Sequence, residues 1–160
     1  MHFSPAGVWP VEARGRVFIC DPDRASTAID LKTGKQIWRT YQSKVRESIG
    51  LSKDGKRIYL KTMNDSIVCY ATTGDKPLEL WATNCGFGYE HARVMLVEKD
   101  GVVFSTNKEG LKMATDGKRG RLLWKQKLGN TLINTGGPWS ATKLVLTKEA
   151  GKVGEIEVKP

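Results

Sequence analysis

The sequence has few of the residues on which catalytic and metal sites most often depend. Its 160 residues include two histidines and three cysteines. The cysteines, Cys20, Cys69 and Cys85, are odd in number and lack the close spacing of a metal site. We also find no nucleophile with a nearby base, no paired carboxylates and no phosphate-binding glycine loop. The sequence therefore predicts neither a catalytic residue nor a metal site.

Long apolar segments are missing as well. No run approaches the roughly 18 apolar residues of a membrane-spanning helix, and residues 1–10 do not have the features of a signal peptide. No window places apolar residues at the spacing of an amphipathic helix. With 39% hydrophobic residues the chain can still form a core. These observations predict an all-β protein without a membrane span.

Acidic residues are fewer than basic ones, 17 against 26, which gives a net charge of +9. Such an excess can attract nucleic acid, anionic lipid or an acidic protein. The basic residues are spread through turns and strand ends, and the densest group, at residues 118–127, belongs to one predicted hairpin. No interleaved aromatic platform accompanies it. The sequence therefore favours a solvated basic face and predicts no nucleic-acid partner.

Three tryptophans recur at a fixed interval. Trp38, Trp81 and Trp124 are each 43 residues from the next. Each tryptophan ends a similar short segment that contains a Thr-Gly or Asp-Gly pair, as in Ile-Asp-Leu-Lys-Thr-Gly-Lys-Gln-Ile-Trp at residues 29–38. Self-similarity at a period of about 20–50 residues is the signature of repeat proteins.

A second landmark keeps the same period. Three times a glycine turn precedes a β-branched and aromatic run, and Phe18, Tyr59 and Phe104 span the same 86 residues as the three tryptophans. Short runs of this kind, bounded by Gly, Pro and Asp, predict strands and hairpins. Each unit then consists of four short antiparallel strands, as in a propeller blade. The tryptophans are expected to pack between blades rather than to stack on a ligand.

The predicted fold is an all-β propeller with about four four-stranded antiparallel blades. The blades are expected at about residues 8–43, 46–84, 91–129 and 131–160. The period would place a fourth tryptophan at position 167, beyond the 160 residues of the chain. The last blade is therefore predicted to lack its outer strand, which leaves an exposed sheet edge.

Residues 28–38 resemble the repeat of the PQQ-like (pyrroloquinoline-quinone-type) β-propellers, whose consensus runs roughly Ala-Leu-Asp-x-x-Thr-Gly-x-x-x-Trp. The second unit departs from this pattern at Tyr70, which we align with the Asp, and the third has a longer turn at residues 118–120. Quinoprotein dehydrogenases of this fold carry adjacent cysteines, calcium-binding acids and a catalytic Asp around the cofactor. This sequence does not display them, so no PQQ or other cofactor is expected.

Because PQQ-like propellers commonly have seven or eight blades, the resemblance favours a segment of a larger propeller. Two other interpretations stay open. The chain could form a closed four-bladed ring, or two copies could associate through their open edges to complete one ring. The resemblance also implies a periplasmic or outer-membrane-associated parent protein, although it assigns no compartment to this segment.

Three functions are compatible with the resemblance. The first is a non-catalytic scaffold or protein-binding module, whose partner the sequence does not identify. The second is an accessory domain of a larger enzyme, such as a kinase or a metallophosphoesterase, with catalysis outside this segment. A quinoprotein dehydrogenase fragment ranks last, because a fold does not by itself confer a function.

Two glycine-rich stretches are the best candidates for a contact surface. Residues 86–89 and 136–139 precede predicted inner strands, and loops between propeller blades often carry recognition. His91, within residues 90–93, is placed where it could face a central channel. Ordinary blade-to-blade turn geometry is the favoured interpretation of the two stretches, and a common loop role is favoured for the histidine.

Overall fold

The computed structural model describes residues 10–87, 94–107 and 110–126, and the backbone of three later strands. The described residues form strands and turns and contain no helix. The all-β prediction is therefore confirmed.

Two four-stranded antiparallel sheets and a five-stranded one follow one another along the chain, and strands adjacent in sequence are adjacent in each sheet. We call these sheets blades 1, 2 and 3. Blade 1 contains β1 to β4, at Val11–Ala13, Arg16–Cys20, Ser26–Asp30 and Gln36–Thr40. Blade 2 contains β5 to β8, at Val45–Leu51, Arg57–Thr62, Ser66–Ala71 and Glu79–Asn84. Blade 3 contains β9 to β12, at Met95–Lys99, Val102–Thr106, Lys112–Asp116 and Leu122–Gln126.

The last three strands differ from the predicted start of a fourth blade. The strand β13 (Leu132–Asn134) pairs with β12 as a fifth strand of the third sheet. It thereby pairs backbone groups on the outer edge of blade 3. Among the described strands, β14 (Lys143–Thr147) and β15 (Val153–Glu157) pair with each other and with no other strand. The division of the chain into four blades stays a prediction.

A row of three side chains across each sheet explains why the aromatic residues recur. In blade 1, Phe18 lies opposite Ala28, and Ala28 lies opposite Trp38. Strands two apart in a sheet are separated by about 9.5 Å. Because alanine leaves the middle strand almost bare, the two rings approach across it to a centroid distance of 6.0 Å.

The other blades repeat this row with the same kinds of residue: Tyr59, Cys69 and Trp81, then Phe104, Ala114 and Trp124. The ring centroids are 5.9 Å apart in blade 2 and 6.3 Å apart in blade 3. In each blade a β-bulge follows the small residue, so that one extra residue precedes the tryptophan. The two landmarks of the sequence are therefore the two ends of one structural row.

The tryptophans of blades 1 and 2 lie between neighbouring sheets. The Trp38 ring meets Tyr70 of blade 2 edge-on, with centroids 6.1 Å apart. The Trp81 indole Nε1 donates a buried 2.9 Å hydrogen bond to the Gly117 carbonyl oxygen of blade 3. The prediction that tryptophans pack between blades is thus confirmed at these two positions.

The core is divided into two layers, one on each side of blade 2. Ile58 and Leu60 pack toward Trp38 of blade 1, whereas Tyr59 and its neighbours pack toward blade 3. The strand β6 is consequently buried on both of its faces. Successive sheets therefore supply the core that one sheet alone cannot form.

The structure corrects the alignment of the second repeat. Strand pairing places Tyr70 at the position equivalent to Ile29 and Ala71 at the position equivalent to Asp30, because Ala71 lies opposite Arg57 as Asp30 lies opposite Arg16. The Asp30 carboxylate accepts hydrogen bonds of 2.9 Å from the amides of Lys32 and Thr33. Alanine cannot accept such bonds. Ala71, not Tyr70, therefore replaces the repeat's Asp, and a longer turn follows it.

The turns separate into two ends of the propeller. Those that join the first two or the last two strands of each blade share one end, which we call the hairpin end. The other end, the linker end, carries the turn between the second and third strands of each blade and the connections between blades. One backbone bond joins the two hairpin turns in every blade: Leu31 to Gly15 (2.9 Å), Thr72 to Lys56 (3.0 Å) and Gly117 to Gly101 (2.9 Å).

A matched pair of glycines tests the role of the indole. The longer third turn expected at residues 118–120 is not found, because the backbone bond from Gly120 to Asp116 matches the one from Gly34 to Asp30. Gly34 and Gly120 occupy equivalent turns with φ of 73° and 75°, but an added Cβ meets nothing within 4 Å at Gly34 and overlaps the Trp81 ring at Gly120. We expect Gly34→Ala to lower the free energy of unfolding by about 1 kcal/mol through backbone strain. Gly120→Ala should cost about 2 kcal/mol more through overpacking.

Urea unfolding followed by far-ultraviolet circular dichroism measures both variants. Equal losses of stability in Gly34→Ala and Gly120→Ala would show that the Trp81 ring does not pack against the blade 3 turn.

Candidate interaction surfaces

Of the predicted contact residues, Gly86 and Phe87 are among those that the structure describes. The Phe87 ring is 5% exposed and packs in the core with Cys85 and Val94. The Lys125 ammonium lies 5.7 Å from its centroid. Phe87 therefore supports the fold, as the turn-geometry interpretation expects. Residues 88–93 and 136–139 lie outside the described residues.

The described residues offer little for catalysis. They include no group of three or more His, Cys, Asp or Glu side chains that could hold a metal ion. Burial raises the pKa of the Cys69 and Cys85 thiols to about 12. Both thiols stay protonated at neutral pH, and a protonated thiol is a poor nucleophile.

A groove of about 440 Å³ opens between blade 2 and the linker that joins it to blade 1. This volume lies within the roughly 300–1,000 Å³ of typical binding sites. Hydroxyl, amide, charged and aliphatic groups share its walls: Tyr41, Gln42, Ser43, Lys44, Thr62, Met63, Asn64, Ser66, Val68, Glu79 and Ala82. Such a mixture suits a segment of polypeptide better than a purely apolar ligand.

Hydrogen bonds fix the linker above the sheet. The Tyr70 hydroxyl donates to Ser43 Oγ at 2.8 Å, and Ser43 Oγ donates to Glu79 Oε1 at 3.2 Å. The Met63 amide donates to the Lys44 carbonyl oxygen at 2.7 Å. Tyr70 thus packs against Trp38 with its ring and holds the groove with its hydroxyl.

A second cluster holds the outer wall of the groove. The Tyr41 side chain is half-exposed, yet its hydroxyl donates to Asp23 Oδ2 at 2.5 Å and accepts from Arg39 Nη1 at 3.0 Å. The Arg39 guanidinium also lies 4.9 Å from the Tyr41 ring centroid. The hydrogen bonds from Tyr41 and Arg39 lower the pKa of Asp23 from 3.8 to about 2.

The Tyr41 hydroxyl can be tested through this carboxyl. Tyr41→Phe removes the first of the two donors, so we expect the pKa of Asp23 to rise from about 2 toward 3.8. Because the folded state favours the carboxylate, the cluster stabilises the fold fully above pH 3.8 and loses this contribution as the pH falls toward 2. Carboxyl-carbon NMR titration reads the pKa directly.

Tyr70→Phe is the matched control, since it deletes a hydroxyl on the other wall and should leave Asp23 unchanged. An unchanged Asp23 pKa in Tyr41→Phe would contradict the role given to this hydroxyl.

Charge is distributed unequally between the two ends. The hairpin end carries twelve basic residues: Arg14, Arg16, Lys32, Lys35, Lys53, Lys56, Arg57, Lys76, Lys99, Lys118, Arg119 and Arg121. It carries seven acidic ones: Glu12, Asp30, Asp54, Asp75, Glu98, Asp100 and Asp116. The ion pairs described by the structure, Arg39 with Asp21 and Asp23 and Lys61 with Asp65, lie at the linker end.

The family model described as outer membrane protein assembly factor BamB matches residues 4–84, just over half of the 160-residue chain. The chain belongs to this family. No curated protein sequence matches it.

The fold of the BamB family also appears among solved structures. BamB from Moraxella catarrhalis superposes with a TM-score of 0.68 at 9% identity, over 95% of this chain and 45% of that one. The chain therefore spans less than half the length of that protein. At such low identity the likeness shows the fold alone.

Two quinoprotein enzymes share the propeller architecture at lower TM-scores. Quinohemoprotein alcohol dehydrogenase from Comamonas testosteroni gives a TM-score of 0.59 at 18% identity, over 74% of this chain and 20% of that one. A europium-containing methanol dehydrogenase gives 0.55 at 14% identity, over 81% and 24%. The predicted PQQ-like propeller class is confirmed by these likenesses and by the family model.

No helix among the described residues is long and apolar enough to cross a bilayer.

Proposed function

We propose that the chain is a non-catalytic propeller segment that binds an extended protein segment in the groove beside blade 2. Membership of the BamB family supports a scaffold that takes part in the assembly of outer-membrane proteins, in the periplasm or at the outer membrane. The observation that carries the proposal is the groove, because both of its walls are fixed before any partner arrives.

The walls of the groove are already ordered in the free chain, which favours binding of a partner. The linker is fixed by Ser43 between Tyr70 and Glu79, and Tyr41 is fixed by Asp23. A partner therefore finds the walls in place and does not have to immobilise them, which reduces the entropy lost on association.

The chemistry of the lining also suits a polypeptide. Tyr41 and Met63 belong to the residue types that are enriched at protein interfaces. Lys44 and Glu79 bring opposite charges to the same groove, and Asn64 and Gln42 supply amide donors and acceptors. An extended peptide presents both backbone polar groups and alternating side chains, so it can satisfy this lining.

A displayed library of random peptides, selected on the purified chain, tests the groove. Ala82 is exposed on the groove wall, and Ala82→Arg would fill it with a long side chain. We expect this change to weaken binding of the selected peptides at least about tenfold, because the arginine side chain clashes with a peptide in the groove. Fluorescence anisotropy measures the affinities.

Gln36→Arg is the matched control, because it adds the same charge at an exposed strand position of blade 1, outside the groove. Peptides that bind wild type and Ala82→Arg equally would show that the groove is not the binding site.

The quinoprotein likenesses call for a separate test. Among the described residues no three His, Cys, Asp or Glu side chains cluster so that they could hold a metal ion, and the cysteines Cys20, Cys69 and Cys85 are not adjacent in the chain. This donor set does not fit PQQ with calcium. We expect no change in the PQQ absorption spectrum when the chain and calcium are added. A bound-quinone spectrum that a chelator reverses would favour the dehydrogenase interpretation over the scaffold.

A further inference from the structure

The hairpin end presents a basic side chain from every turn. Each of the three blades has two turns at this end, and each turn carries at least one exposed basic residue: Arg14, Lys32, Lys53, Lys76, Lys99 and Lys118. Because the charges come from all three sheets, they form a broad surface rather than a single basic hairpin.

Contacts between blades join these turns into one surface. The Arg16 guanidinium Nη1 donates to the Gly74 carbonyl oxygen at 2.5 Å, which links blades 1 and 2. The Lys53 amide donates to Glu98 Oε2 at 3.1 Å, which links blades 2 and 3. The positions of the exposed cations are thus set relative to one another across the blades.

The carboxylates of the hairpin end do not neutralise its excess of positive charge. Asp30, Asp54 and Asp116 accept hydrogen bonds from amides of their own turns, which fixes the turns. These bonds lower the pKa of Asp30 and Asp54, so both carry a charge at neutral pH. Even with every acid ionised, the basic residues of the hairpin end remain the majority.

Two exposed leucines accompany the cations. Leu31 is 55% exposed and Leu78 is 56% exposed, and both lie in hairpin turns beside lysine residues, Lys32 and Lys76. Lysine beside an exposed aliphatic side chain is the combination that binds a membrane surface, since the ammonium meets anionic headgroups and the aliphatic group enters the boundary of the acyl chains.

Other polyanions fit this end less well. Nucleic-acid surfaces stack bases on aromatic side chains. The exposed aromatic residue of the described chain, Tyr41, lies at the linker end. An acidic peptide would be expected to use a groove, and the groove beside blade 2 is formed by the linker rather than by the hairpin turns.

We propose that the hairpin end is a docking surface for an anionic membrane. The cations of the six turns contact phosphate headgroups, and Leu31 and Leu78 enter the interface. The linker that forms the peptide groove then stands on the far side of the propeller from the lipid. This proposal does not depend on the groove having a partner.

Co-sedimentation of the full chain with vesicles tests the docking. We expect binding to vesicles of phosphatidylcholine with phosphatidylglycerol and none to phosphatidylcholine alone, and salt should weaken it by screening. Replacing Lys32, Lys35, Lys118 and Arg119 together by Gln should lower the partition coefficient at least about tenfold, since each cation near an anionic surface contributes independently. Leu31→Ala with Leu78→Ala should lower it severalfold while leaving the salt dependence unchanged.

The control variant combines Lys44→Glu, Gln42→Glu and Asn64→Asp at the linker end, which removes the same four units of charge. It should bind vesicles like wild type, and circular dichroism confirms that each variant is folded. Equal loss in the control and in the hairpin-end variant would overturn the proposal, because net charge alone would then explain binding. So would binding to single-stranded DNA or polyglutamate under conditions in which the anionic vesicles fail to bind.

Discussion

The fold depends on the contact between an indole and the neighbouring sheet. In each blade a small residue on the third strand lets an aromatic ring of the second strand reach the tryptophan of the fourth. The indoles of blades 1 and 2 then pack against the following blade, Trp38 on Tyr70 and Trp81 on the Gly117 carbonyl. The same side chain therefore couples packing within a blade to packing between blades. Each of the two core layers beside blade 2 contains one of these indoles.

Much of this architecture could be predicted from the sequence, because repetition of large aromatic residues has few physical explanations. The equal spacing of Trp38, Trp81 and Trp124 predicts the three successive sheets that the structure describes. The alignment of Tyr70 could not be read this way. The Thr-Gly pair at residues 73–74 suggests Tyr70 as the equivalent of Asp30, whereas strand pairing aligns Ala71 with Asp30. The turn that follows Ala71 is longer than its counterpart in blade 1, and this difference is visible only once the partner strands are known.

The candidate surfaces were less accessible to sequence reasoning. Residues of the groove such as Ser43 and Glu79 are ordinary polar residues, far apart in the chain, and the fold alone brings them to hydrogen-bond distance. The basic residues looked evenly scattered for a related reason. Hairpin turns are separated by whole strands in the sequence, but antiparallel pairing returns alternate turns to the same end of each sheet. Phe87 belongs to a stretch that was a candidate contact surface, although turn geometry was the favoured interpretation, and it is part of the core.

The contact that each indole makes with the next blade determines which hairpin turns can vary in length. Trp38 rests on the Tyr70 ring, within a strand, and the following turn at residues 72–78 already differs in length from its counterpart in blade 1. Trp81 instead rests on the backbone of the blade 3 turn, at Gly117 and against Gly120. Insertions are therefore compatible with the first of these turns and not with the second, where one added residue would displace the carbonyl on which the neighbouring blade is anchored.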